Sequence, residues 1–136
     1  MTPISATLVT GATLEGRETL IAAHLPAGVR SAVILEGLPS GSTVLYPTDT
    51  LDVYRVAQAC LCCTGNLVLR VTLNRILRSR PGKLFIGVAD TAHLDQLRSW
   101  LQQAPYDQLL IVTPDLGAPS TQALENGPVS PTSPVQ

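Results

Sequence analysis

The sequence predicts a three-layer α/β domain with a mostly parallel sheet. Short apolar, β-branched runs alternate with helical patterns along the chain, and that alternation calls for parallel strands joined by right-handed crossovers. The runs Ala32-Val33-Ile34-Leu35 and Leu84-Phe85-Ile86 are apolar throughout rather than at every second residue. Strands of that kind belong to a sheet covered on both faces. A chain of 136 residues that is 45% hydrophobic is long enough to bury one core.

The elements follow in order. Ala6 to Thr10 is β-branched and apolar, runs straight into Gly11, and reads as the first strand. Glu18 to Leu25 reads as a helix stopped by Pro26 and Gly28. Ser31 to Glu36 is a second strand, broken by Gly37, Pro39 and Gly41. Thr43 to Tyr46 suggests a further short strand, and Leu51 to Ala59 a short ordered piece. Between Gly65 and Ser79, Leu69, Leu73, Ile76 and Leu77 fall on one helical face, with Arg70, Asn74, Arg75 and Arg78 off it. Pro81-Gly82 ends that helix and Lys83 to Val88 is a strand. Thr91 to Gln103 is helical with Leu94, Leu97 and Leu101 inward, and Asp90 or Thr91 suits its N-cap. Leu109 to Val112 is the last strand. The domain therefore spans 1–116, and 117–136 is a Pro/Ser-rich tail with too little to bury, expected to be disordered.

Charge and composition exclude several classes. The net charge of −1 gives no general attraction to nucleic acid or to an anionic membrane. No apolar run reaches the roughly 18 residues that span a bilayer, and no basic stretch followed by an apolar one marks a secretory leader. Three cysteines, odd in number and clustered, read as a reduced, cytoplasmic protein rather than a disulfide scaffold. The charge is uneven, however. Between Val53 and Ala89 there is no Asp or Glu, while Arg55, Arg70, Arg75, Arg78, Arg80 and Lys83 hold six of the nine cations. That pattern reads as a solvated helix face or as a docking patch for an acidic or phosphate-bearing partner.

Two motifs carry candidate chemistry. A working phosphate loop, G-x-x-x-x-G-K-[ST], lies between strand and helix and holds phosphate on backbone N–H groups. Here Gly11 and Gly16 have the required separation, but Arg17 takes the Lys position, Glu18 takes the hydroxyl position, and Thr19 follows one residue late. A planar guanidinium does not replace a compact ammonium. A carboxylate at the helix N-terminus repels the phosphates that the loop would hold. Gly11, Gly16, Arg17 and Thr19 thus form a degenerate nucleotide site, either a strand-to-helix turn that binds nothing or a weak site for GTP with Mg²⁺ or another anion. The second motif is Cys60-Leu61-Cys62-Cys63. Three thiolates in four residues suit Zn²⁺ or another thiophilic metal once a fourth ligand closes the site. His24, His93, a water or a second chain are the candidates for that ligand. The competing reading is three small core residues. Dithiol redox chemistry fits less well, because the spacing is not C-x-x-C.

With both motifs placed, the chain resembles the CobW-type metal-chaperone GTPases, within the wider group that contains HypB and UreG. The resemblance rests on Leu8-Val9-Thr10-Gly11 entering the loop, Ala32 to Gly37, Ala59-Cys60-Leu61-Cys62-Cys63-Thr64, and Leu84 to Val88, in that order from about residue 5 to about residue 113. It implies a three-layer P-loop NTPase-like domain, truncated relative to the family. It also implies metal ligation by Cys60, Cys62 and Cys63. The family's loop Lys and Thr are replaced by Arg17 and Glu18, its middle loop Gly by Leu14, and the acidic residue at the end of the Leu84–Ile86 strand by Gly87. No N-K-x-D segment for base recognition is present. The expectation is a non-hydrolysing domain with no catalytic residues, binding a transition metal in metal handling or as the partner of a full-length relative. The alternatives are a weak GTPase completed by another chain, and an interaction domain that has lost both ligands. A homodimer or a complex with a longer relative is expected through the strand Leu109–Val112, placed at an uncovered sheet edge. Neither membrane nor nucleic acid is an expected partner.

Overall fold

The computed structural model describes residues 3–11, 13–37, 44–56, 67–89 and 94–117. The chain runs β1 (Ile4–Thr10), α1 (Leu14–His24), β2 (Ser31–Glu36), β3 (Leu51–Val56), α2 (Leu67–Ser79), β4 (Lys83–Gly87), α3 (Leu94–Leu101), α4 (Tyr106–Leu109), β5 (Leu110–Val112) and β6 (Leu116–Gly117). The sheet has the order β3-β2-β4-β1-β5, and the two-residue β6 also pairs with β1. Among the described residues every strand pair is parallel. The expected α/β class with a mostly parallel sheet is what the chain adopts.

Both faces of the sheet are covered, which is why Ala32–Leu35 of β2 and Leu84–Ile86 of β4 carry no polar alternation. All six residues of β2 are buried. On one face Ile4, Ala6 and Leu8 of β1, with Leu84 and Ile86 of β4, pack against Leu69, Leu73 and Ile76 of α2, Leu97 and Leu101 of α3, and Tyr106 of α4. On the other face Val9, Val33, Leu35 and Phe85 meet Ile21 of α1. Each fully buried aliphatic or aromatic side chain contributes about 1.5–3 kcal/mol of transfer free energy. Gly87 lies beside Leu35 of β2 and Ile21 of α1. A Cβ built there would stand 2.8 Å from Cδ2 of Leu35 and 3.8 Å from Cδ1 of Ile21. Any side chain at that point would have to displace Leu35.

Several boundaries differ from expectation, each for a local reason. Helix α1 begins at Leu14, not Glu18, because Thr13 caps it: its side chain accepts from the Gly16 N–H at 3.0 Å. Thr43–Tyr46 is not a strand; residues 44–47 have no regular structure, and 43 lies outside the described residues. β3 covers Leu51–Val56, and 57–59 lie outside the described residues. The expected last strand is β5, which begins at Leu110, one residue late, because Leu109 closes α4, and the two-residue β6 follows it. Helix α2 ends through Arg80 in the left-handed conformation (φ 51°), and Pro81 prevents its continuation. The N-cap candidates Asp90 and Thr91, and the tail from 118, lie outside the described residues. Gly117, the first residue of the expected tail, pairs with Thr10 in β6. Strand β5 does lie at an edge of the sheet order, and Ile111 is 55% exposed there. Among the described residues no helix is long and apolar enough to cross a membrane.

Candidate functional site

In a parallel α/β sheet the loops at the carboxyl ends of the strands form the ligand-binding edge. Here that edge brings together Gly11 after β1, the first two turns of α1, Glu36 at the end of β2, Arg55 near the end of β3, and Ala89 after β4. Two cations and two carboxylates converge, and three of the four side chains are almost fully buried: Arg17 is 3% exposed, Glu18 1% and Glu36 1%.

Each of these charges is held by the scaffold. Arg17 donates from Nη1 to the Gly11 carbonyl at 2.8 Å and from Nη2 to the Glu36 carbonyl at 3.3 Å. It ties the end of β1 to the end of β2. Burial lowers the Arg17 pKa, and the negative charges of Glu36, Glu18 and Glu15 oppose that loss. Its Nε is the buried side-chain donor left without a hydrogen-bond partner among the described residues. Glu18 accepts at Oε1 from the backbone N–H groups of Val44 and Leu45, both at 2.9 Å. Arg55 donates to both carboxylate oxygens at 3.2 Å and also to the Leu45 carbonyl. Burial alone would raise the Glu18 carboxyl. The hydrogen bonds from Arg55, Leu45 and Val44 outweigh it and hold the group below its ordinary value. Glu36 in turn accepts from the Ala89 N–H at 2.8 Å, fixing the segment after β4 to β2.

The degenerate loop therefore takes on a physical meaning. The sequence places Glu18 beside an absent phosphate as a repelling charge. In the fold its carboxylate turns to the 44–45 segment and to Arg55 instead. Arg17 lies across the space between Gly11 and Glu36. Leu14 packs over Gly37, whose hypothetical Cβ would lie 3.3 Å from Leu14 Cδ2. Gly16 sits in the first turn of α1 with its N–H already capped by Thr13, and Thr19 is exposed on α1. Arg17 thus reaches Gly11, with Nη1 and Nη2 bonded to main-chain carbonyls and Nε without a partner among the described residues.

Cys60, Cys62 and Cys63 belong to the connection between the carboxyl end of β3 and the start of α2, and lie outside the described residues, as does His93. His24 is exposed in the last turn of α1, its Nδ1 2.9 Å from the Leu20 carbonyl oxygen. Since α1 starts at the carboxyl edge and runs back along the sheet, His24 is carried away from the edge where the cysteine segment departs. Among the described residues no three His, Cys, Asp or Glu side chains are grouped to hold a metal ion. Sequence reasoning did not single out Glu36 or the Glu18–Arg55 pair. The available signal was a fully apolar strand closing on a lone carboxylate, Leu35-Glu36-Gly37.

The strand order and the loop's position are consistent with a P-loop-like, Rossmannoid fold. Comparison with protein-family models, with curated proteins and with solved structures finds no match.

Proposed function

We propose that this chain is a non-hydrolysing, CobW-like domain that binds a transition metal, zinc foremost, through Cys60, Cys62 and Cys63. It acts in metal handling in the cytoplasm, or as the partner of a full-length relative. The observation that carries the proposal is the C-x-C-C triplet, in the connection that leaves the carboxyl edge of a parallel sheet. Thiolates at that spacing bind soft and borderline cations, and a parallel sheet presents its ligands at that edge. The absence of hydrolysis is supported by Arg17 and Glu18. Transition-state stabilisation of a transferring phosphoryl group needs cationic donors aimed at it. Here one cation is bound to main-chain carbonyls and the neighbouring position is a carboxylate.

Protein purified in reductant without chelator is expected to carry or accept close to one zinc per chain or per dimer, measured by elemental analysis. The Cys62→Ser/Cys63→Ser variant should lose it. Equal metal content in both proteins would make the cysteines core residues. Calorimetric titration with GTP and Mg²⁺ should give a dissociation constant weaker than roughly 100 μM, since the electrostatic contribution at the terminal phosphate is missing. A second reading, an interaction domain without either ligand, is favoured by the same use of Arg17 and Glu18 as scaffold. It predicts neither zinc nor nucleotide binding.

A further inference from the structure

Helix α2 has two unlike faces. Leu69, Leu73 and Ile76 are fully buried against the sheet. On the opposite side, Leu67 is 64% exposed, Val68 42% and Val71 51%. At 3.6 residues per turn Arg70, Arg75 and Arg78 share that outer half of the cylinder, and all three are exposed. A helix facing only water is expected to carry polar residues there. This one carries three aliphatic side chains among three guanidinium groups.

Among the described residues these arginines also have no ion pair. The ion pairs of the described residues take up Arg30, Arg55 and Arg98, and none reaches Arg70, Arg75 or Arg78. Helix α2 contains no acidic residue, and none occurs from Val53 to Ala89. Most surface helices intersperse both signs. A cationic face with apolar side chains between the charges is complementary to a surface that is acidic and apolar in the same way.

Beside this face a groove of about 470 Å³ is already formed. Arg70 and Asn74 of α2 make one wall, and Trp100, Gln103, Pro105 and Tyr106 make the other. The Trp100 and Tyr106 rings lie 4.9 Å apart between centroids, and the Tyr106 hydroxyl donates to Oδ1 of Asn74 at 3.3 Å, joining the walls. The groove offers an aromatic floor, with a guanidinium and side-chain amides at its rim. Tryptophan, tyrosine and arginine are the residue types that anchor protein interfaces.

From these observations we infer that the outer face of α2, with the Trp100–Tyr106 groove, docks an acidic amphipathic helix of another protein. Its carboxylates meet Arg70, Arg75 and Arg78, and its apolar side chains cover Leu67 and Val71 and enter the groove. From Leu67 to Arg78 the face is about 16 Å long, three turns of helix, the scale on which helix-in-groove recognition works. The inference does not depend on metal binding, because no cysteine belongs to α2 or is among the described residues that line the groove.

The test uses the full chain and a synthetic peptide of about five turns, with Leu on one helical face and Glu flanking it. Trp100 is the sole tryptophan, so its emission reports directly on the groove. The peptide should shift Trp100 emission and bind at least about fivefold more tightly in low salt than in high salt, as screened charge pairs require. A composition-matched scramble and polyglutamate should bind much more weakly. Reversing the arginines (Arg70→Glu/Arg75→Glu/Arg78→Glu) should weaken binding at least about tenfold, and Leu67→Ser/Val71→Ser at least about threefold. Arg70→Gln/Arg75→Gln/Arg78→Gln, with unchanged far-ultraviolet circular dichroism, keeps the result readable if the reversal disturbs folding. It too should weaken binding. Unchanged affinity in either arginine variant, equal affinity for the scramble, or a silent Trp100 would overturn the inference. So would preferential binding to phosphatidylglycerol vesicles or to single-stranded DNA, and so would self-association through the same residues.

Discussion

The carboxyl edge of the sheet and the outer face of α2 both concentrate arginine, and they use it in opposite ways. At the edge, Arg17 and Arg55 are turned inward, bonded to carbonyls and to Glu18, and built into the joints between strands. On α2, Arg70, Arg75 and Arg78 face outward without an ion pair among the described residues. A buried charge must be fully hydrogen-bonded or its desolvation destabilises the fold. An exposed one carries almost no stability and remains available to a partner. So the arginines of the candidate phosphate loop and of β3 join strand ends, whereas those of α2 have no ion pair among the described residues.

Mutations should separate the two regions sharply. Glu18→Ala leaves Arg55 and the Val44 and Leu45 N–H groups without their acceptor, and should cost about 3–5 kcal/mol in chemical denaturation. In a double-mutant cycle with Arg55→Ala the two losses should couple by at least about 1 kcal/mol. Additive losses would break the contrast, because the pair would then be no joint at all. Restoring the phosphate-loop signature with Arg17→Lys/Glu18→Thr should follow the same logic. It removes the anchor of the 44–45 segment, so the variant should be destabilised by about 2–5 kcal/mol rather than becoming a nucleotide binder. A stable variant that binds GTP would show that the loop is held open by something other than these side chains.

Acid probes the same joint without mutation. The folded Glu18 carboxyl is held below the unfolded value of about 4.5. Its contribution is therefore complete above that pH and lost as pH falls through the lower, folded value. Denaturation midpoints followed downward from pH 5 should fall, and Glu18→Gln should flatten that dependence. Gly87→Ala tests packing at the same edge. With 2.8 Å to Leu35 Cδ2, overpacking should cost about 1–3 kcal/mol. The smallest effect is expected on α2. Each of Arg70→Gln, Arg75→Gln and Arg78→Gln should move stability by no more than about 0.5 kcal/mol in either direction. A larger loss would place those arginines in the scaffold and erase the difference between the regions.

Much of the fold was legible in the chain itself. Ala32 to Leu35 and Leu84 to Ile86 announce buried parallel strands because neither sheet face is wet. Leu69, Leu73 and Ile76 announce the buried stripe of α2, since period 3.6 is a property of neighbours a turn apart. The sequence also marks the cysteine triplet and the misfit of Arg17 and Glu18 to a phosphate loop. What that misfit does was not legible. Glu18 finds its partners 26, 27 and 37 residues away, and Arg17 reaches a carbonyl 19 residues away. Sequence patterns report local geometry and burial, whereas the partner of a buried charge depends on which strand ends the topology sets side by side. With β4 inserted between β1 and β2, and β3 beyond them, Arg17, Glu18, Glu36 and Arg55 converge on one edge. The same holds for the helix α2. Its outward residues can be named from the helical spacing, but that Trp100 and Tyr106 complete a groove beside them is settled by how α3 and α4 pack against the sheet.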